Sequence, residues 1–480
     1  MSAPKPDPGA RLALAERGER VSVPDLAAFF SLIVLAAFLW LWHSPWLDEL
    51  QGLAIARSDT LAILFQRMRF EGHPPLWHLV AFGLEKIAPG FSIIRLLHFG
   101  LLTSSLAFVW FTAPFAFWAR LLIGVNTAVF FTLGGLARSY GLGEALFFLW
   151  LGLRNKPGAW LILALLPFVA MTFALLAAAL AVYLAHRRRL GLTGLALVLA
   201  AVALSLVLFR PAPGFHAPLV PDAPLSAFVR SGVLLFPYEG QPLALVAAAL
   251  LAPALILLGL RRRPLAALLT LGLLLALIVI SAALYPMSYY HYAAVWLCLI
   301  GFAWLLKDEG LAVEKEPAMA ALLFLGAAVG AVQIGAALTL PASHALLLKG
   351  ALERQGLKAA PLIAYPGEMA VELAFASDAP QLDAERGCRA FMAVWDHPVA
   401  VTKGAALTAL IPKLGEETSG RVLLYTSTRV MDRNPQLPHR ALTHFGRDLR
   451  GEDFELFALQ LPKAPRSLAP LCPEAMAGRP

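Results

Sequence analysis

The sequence predicts a polytopic α-helical membrane protein of about eleven transmembrane helices, carrying a small α/β domain outside the membrane at its C-terminal end. Three observations predict it. The 480 residues are 59% hydrophobic and 15% charged, with a mean hydropathy of +0.70, whereas a soluble domain holds about half apolar and a quarter charged residues. Apolar runs of membrane-spanning length recur along the chain, separated by short basic clusters such as Arg187-Arg188-Arg189 and Arg261-Arg262-Arg263. From residue 341 onward charge rises and the apolar runs shorten. The formal charge of +8 is spread over the clusters between the apolar runs. It therefore reads as a topology signal and gives no basic face for nucleic acid.

Residues 1–24 form a polar, basic tail with Lys5, Arg11, Arg17 and Arg20. The apolar segment after it is too long for a signal-peptide core, so the tail is expected in the cytoplasm before an uncleaved first helix. That helix, Asp25 to Trp42, opens a transmembrane domain of residues 25–340 and carries the chain outward. A first outer loop, 43–90, follows. Its segment Leu47 to Arg69 places apolar residues at helical spacing among charged ones, which predicts a helix lying in the interface plane. His73 to Ile87 opens with Pro74-Pro75 at a helix start and reads as a second interfacial or re-entrant helix.

Phe91 to Trp118 returns inward to Arg120, Leu121 to Ala137 goes out to Arg138, and Leu142 to Leu153 returns to Arg154. The stretch between Lys156 and His186 lies between two basic clusters. Both can be cytoplasmic only if it crosses an even number of times, which predicts a hairpin of two short helices around Pro167; one long helix is the competing reading. Leu190 to Phe209 runs out to a Pro-rich loop, Arg210 to Gln241. Pro242 to Leu260, Leu265 to Leu284, Ala293 to Leu306 and Pro317 to Leu340 complete the crossings and leave residues 341–480 outside. In that last part Pro361 to Tyr365, Arg389 to Trp395, Arg421 to Thr426 and Phe454 to Leu461 read as strands. Of the three cysteines, Cys298 lies in an apolar run, while Cys388 and Cys472 are placed where a disulfide is chemically allowed; two unpaired thiols are the alternative. No Cys/His spacing suggests zinc.

Four constellations could carry chemistry, and all fall at outer boundaries. Asp48-Glu49 can supply a general base at the mouth of the membrane domain, or merely cap the helix that follows. Glu71-Gly72-His73-Pro74-Pro75 fixes a helix start whose N–H groups and imidazole suit a lipid phosphate, or forms a structured turn; His78 reads as a packing residue. Arg138 and Tyr140 precede Glu144, and Arg138 either holds a phosphate or pairs with Glu144, a carboxyl that is costly inside a membrane. Tyr285 to Tyr292 sets four tyrosines and His291 at a boundary; they form an anchoring belt, or Tyr290 and His291 contact a sugar or phosphate. Arg230, with Arg210, Tyr238 and Glu239, is a further candidate in the Pro-rich loop.

With these pieces assembled, the chain resembles the GT-C class of integral-membrane glycosyltransferases, the group of the aminoarabinose transferases, protein O-mannosyltransferases and bacterial lipopolysaccharide galacturonosyltransferases. The resemblance rests on Asp48-Glu49 after the first helix, Pro74-Pro75-Leu76-Trp77 opening an interfacial helix, and Ala137-Arg138-Ser139-Tyr140 at the outer start of a later one, and it spans residues 25–340. It implies a polyprenyl-phosphate-linked sugar donor, a lipid, glycan or protein acceptor at the outer face of the bacterial cytoplasmic membrane, and an inverting displacement. By the resemblance Asp48 is the base and Glu49 its support, and His73 stands where the class holds donor phosphate; from the reading of the residues, Arg138, Tyr140, Tyr290, His291 and Arg230 join it as candidates to hold donor phosphate or substrate. The class often has Lys where this chain has His73, which shifts weight to Arg138. Some members use a divalent cation, for which Asp48 and Glu49 provide no third acidic ligand. The reading from another class is a transporter or flippase of lipid-linked sugars, which would show paired halves or charges along a central path.

Overall fold

The computed structural model describes residues 22–69, 71, 73–133, 136–208, 221–236, 241–358, 360, 362–383, 388–392, 421–432, 439–448, 453–460 and 472. Nearly all of the basic tail, together with Arg210, Tyr238, Glu239 and the strand reading beyond Met392, lies outside them. The protein is a multi-pass helical bundle with a sheet at one end. Six of its described helices are long and apolar enough to cross a membrane, and four further apolar helices are shorter.

Helix α1, Val23–Trp42, is started by Ser22, which exchanges hydrogen bonds with Asp25 in a capping box. Ser44-Pro45 ends its run. The interfacial segment expected as one helix is two, α2 at Leu47–Ala56 and α3 at Leu61–Met68, because Thr60 caps a new start by accepting from Ile63 N–H at 3.3 Å. Helix α4, Pro75–Ile87, follows the paired prolines as expected. Helix α5, Phe91–Phe111, stops short of the expected Trp118, since Pro114 cannot continue it, and α6, Phe117–Val125, carries Arg120 back toward Trp110 and Asp25. The outward crossing then continues as a π-helical segment, Thr127–Leu133. Asn126 Oδ1 accepts from Ala128 N–H at that break, and the neighbouring helix approaches so closely that a Cβ on Gly330 would fall 2.0 Å from the Val125 carbonyl.

Helix α7, Ser139–Leu153, leads to the stretch around Pro167, which is two helices and excludes the single long one: α8, Ala159–Leu165, ends in a 3-10 turn at Leu166–Phe168, and α9 starts at Met171 and runs to His186. The remaining helices are α10, Leu192–Leu208; α11, Pro224–Arg230; α12, Pro242–Gly259; α13, Pro264–Ala283; α14, Tyr289–Asp308; and α15, Pro317–Thr339. Helix α14 is the axis of the bundle. Its apolar window is 89% buried, against 22–39% for the other five long helices. Trp296 and Trp304 on α14 pack among Phe130, Phe147, Phe148 and Phe173 in the main core.

The two ends of the bundle differ in charge. At one end the basic clusters converge: Arg154 and Arg189 on Asp308, Arg187 and Arg263 on Glu309, Arg261 and Arg262 on Glu316. Both ends of the hairpin stretch therefore return to one face, as parity requires. At the other end sit Asp48, Glu71, Arg138 and the C-terminal sheet.

That sheet has six strands in the order β3-β2-β1-β4-β6-β5. They are β1, Leu362–Ala364; β2, Gln381–Asp383; β3, Cys388–Ala390; β4, Arg421–Ser427; β5, His439–Arg447; and β6, Asp453–Gln460. β1 lies parallel to β2 and β4, and the other pairs are antiparallel. Two strands, β2 and β5, escape the sequence reading. Helix α16, Ala345–Arg354, and α17, Ala370–Ser377, cover one face. Cys388 and Cys472 form a disulfide, and Cys298 is free and buried. The core of this domain includes Leu47 and Leu50 of α2, so the interfacial helix is part of it.

Candidate functional site

Helix α2 owes its placement to Glu49. Glu49 Oε2 accepts from Trp46 N–H at 2.7 Å and meets His43 Nε2 at 2.6 Å, and its other oxygen accepts from Ala137 N–H. One carboxylate thus caps α2, whose N-terminal dipole favours it, and ties the first loop to the segment before α7. Burial opposes its ionisation, yet His43 and the two backbone donors hold its carboxyl below the ordinary value. With a side chain 0% exposed, Glu49 clamps the backbone of the first loop.

Asp48, one residue earlier, points elsewhere. Its Oδ2 accepts from the guanidinium of Arg138, whose other nitrogen reaches Glu71 Oε1 at 3.0 Å. The Asp48 side chain is 24% exposed, against 7% for Arg138 and 6% for Glu71. Arg138 occupies the N-cap of α7, and His98 Nε2 meets its backbone carbonyl at 3.0 Å. Burial favours discharging this guanidinium, but Asp48, Tyr140 and Glu71 outweigh it and raise its pKa, so it stays cationic. The pairing with Glu144 does not form: among the described residues neither carboxyl oxygen of Glu144 has a hydrogen-bond partner, and Arg138 turns to the two outer acids instead.

Pro74-Pro75 directs the chain so that His73 and His78 flank Glu71. His78 Nε2 lies 2.8 Å from Glu71 Oε2 and His73 Nδ1 lies 3.8 Å from Oε1. His78, expected only to pack, is thus part of the charge network, as is Glu71, which the sequence reading left as motif context. Burial works against a charged Glu71, but His78, then His73 and Arg138, hold its carboxyl well below the usual range. Burial, reinforced by Arg138, brings His73 down to about 4, so its ring is neutral at pH 7.

Aromatic rings close the cluster. Tyr140 lies with its ring under Arg138 at 5.8 Å and meets His73, Tyr290 and His291 at 6.4, 5.4 and 6.2 Å between centroids. Tyr290 also touches Trp46, and Tyr285 Oη stands 3.4 Å from His291 Nε2. His291 and Tyr292 are buried, so this part of the motif faces protein and is no lipid-facing belt. Arg230 stands elsewhere: Asp222 takes it at 2.7 Å, beside Ser281. Among the described residues no three His, Cys, Asp or Glu side chains gather as metal ligands; Asp48 and Glu49 point to different partners.

No family model matches the chain, and no curated protein matches it. Among solved structures it is similar to ArnT from Cupriavidus metallidurans bound to undecaprenyl phosphate, at 13% identity and a TM-score of 0.48, over 92% of this chain and 99% of that one.

Proposed function

We propose that the protein is a glycosyltransferase that moves a sugar from a polyprenyl-phosphate-linked donor to an acceptor at the outer face of the cytoplasmic membrane. The observation that carries the reading is a water-reaching carboxylate, Asp48, paired with a buried guanidinium, Arg138, at the end of the bundle opposite the basic clusters. Basic clusters mark the cytoplasmic side, so the cluster and the C-terminal domain belong outside.

A guanidinium is a planar fork for phosphate. Donor phosphate competes with Asp48 for Arg138, and the water-reaching Asp48 carboxylate stands beside it, toward the acceptor. The acceptor hydroxyl or amine attacks the anomeric carbon while Asp48 takes its proton. The bond from that carbon to the phosphate oxygen breaks with its electron pair going to the phosphate, and the configuration inverts. Arg138 stabilises the charge gathering on the leaving phosphate. Neutral His73, Tyr140, Tyr290 and His291 supply hydrogen bonds and ring faces around it, and Glu49 holds the helix that presents Asp48.

The test is transfer from a panel of radiolabelled polyprenyl-phosphate sugars to membrane acceptors, comparing wild type with Asp48→Asn at equal expression. Loss of a general base lowers the rate by about 10²- to 10⁴-fold. Equal rates would remove Asp48 from the mechanism. No transfer from any donor, with lipid-linked sugars crossing the membrane only when the protein is present, would replace the reading with a transporter.

A further inference from the structure

Arg230 stands apart from the charge cluster, yet hydrogen bonds lead from it to the turn that carries His291. Asp222 takes its guanidinium as a fork, with Nε 2.7 Å from Oδ2 and Nη2 3.2 Å from Oδ1. The Asp222 N–H donates to the Ser281 carbonyl at 3.1 Å, and the buried Ser281 hydroxyl donates to Asp222 Oδ2 at 2.9 Å. That hydroxyl also accepts the Met287 N–H at 3.0 Å. An amide N–H only donates, so the one hydroxyl proton goes to the carboxylate and the chain has a single direction. The segment bearing Asp222 and Arg230 is itself bolted to the bundle. Trp296 of α14 donates to the Leu234 carbonyl at 3.1 Å, and a Cβ on Gly232 would strike the Leu245 carbonyl.

The next amide of the turn, Ser288 N–H, donates to His291 Nδ1 at 3.0 Å. By the same reasoning Nδ1 carries a lone pair, and the ring is neutral with its proton on Nε2. Nε2 faces Tyr285 Oη at 3.4 Å, a long contact that a ligand oxygen can better. The Tyr140 ring lies against His291 on one side and under Arg138 on the other. Two adjacent amides of one turn are thus taken, the first through Ser281 to Asp222, the second by His291. We propose that Asp222 is a positioning residue: through Ser281 it holds the turn between α13 and α14, and so keeps His291 an Nε2–H donor aimed at an oxygen of the sugar donor. The last step rests on the transfer reading, whereas the tautomer is read without any donor.

The experiment is solid-state NMR of the full chain in bilayers, with both histidine ring nitrogens isotope-labelled and the His291 signals assigned by their loss in His291→Gln. Wild type is expected to show Nδ1 bare and Nε2 protonated. Asp222→Ala lets the 27% exposed Arg230 turn to water, and Ser281→Ala deletes only the linking hydroxyl. Each should raise the share of rings with a proton on Nδ1 about tenfold, the worth of one hydrogen bond. In sugar transfer each should raise the donor KM about tenfold, as His291→Gln does, and joining Asp222→Ala to His291→Gln should add nothing further. A tautomer unmoved in both variants, or KM losses that add, would overturn the proposal. Transfer absent from wild type, with the tautomer still answering to Asp222, would unseat the transfer reading and leave the positioning role standing.

Discussion

The two ends of the bundle are built from the same ingredients, guanidinium and carboxylate, and differ in how much water reaches the guanidinium groups. Arg261 and Arg262 are 60% exposed where they meet Glu316, whereas Arg138 and Glu71 are 7% and 6% exposed. Pairs of the first kind gain less because solvent already screens the exposed guanidinium. Buried pairs contain groups that each cost several kcal/mol to desolvate, so each depends on its partner. The first end gathers the basic clusters onto three acids; the second holds a buried guanidinium between two carboxylates.

Breaking the buried end should cost most. Arg138→Gln leaves Asp48 and Glu71 facing each other, and stability in detergent should fall by about 3–5 kcal/mol by denaturant titration. Arg138→Lys should recover much of that stability and little of the donor affinity, since a point charge lacks the fork. A smaller loss, about 1–3 kcal/mol in a melting experiment, follows Glu49→Gln, which weakens an acceptor of two backbone N–H groups and the bond to His43. A stability unchanged in this variant would deny Glu49 its clamping role.

A pH series sharpens the contrast further. His73 binds its proton near pH 6.5 when unfolded and at about 4 when folded. Between those values the unfolded chain holds the extra proton, so stability should fall as pH drops from 6.5 to 4 and level off below. His73→Gln should flatten that part of the curve; an unchanged slope would assign it to another group. The smallest effect belongs to the exposed end. Arg261→Gln should change stability by less than about 1 kcal/mol, and added salt should shrink the difference.

What was legible in the sequence follows from range. Basic clusters and prolines act locally, so the hairpin at Pro167 and the start of α4 at Pro75 could be read directly. The π-helical segment could not, because it answers to the approach of Gly330 from a helix far along the chain. Strand β2 has three residues, and β5 is an edge strand of largely exposed residues with two irregularities in its pairing, so neither shows a clear apolar alternation. In the candidate site, Asp48, His73, Arg138 and Tyr140 stand out as polar residues bordering apolar runs. Glu71 does not, since its role appears only when Arg138 arrives from 67 residues away, and His78 enters the network through Glu71. Arg230 shared the same surface signal and met Asp222 instead.

Helix α2 belongs to two cores at once, with Leu47 and Leu50 inside the C-terminal domain and Glu49 locked to the turn before α7. A ribosome makes this helix before α5 to α15, while the residues that cover Leu47 and Leu50, from Ala345 to Ala458, are made after them. Chain domains ordinarily complete themselves as they emerge, N-terminal first. Here the helix that bears Asp48 waits, half covered, while α5 to α15 are made, and its packing is complete only once β6 has emerged.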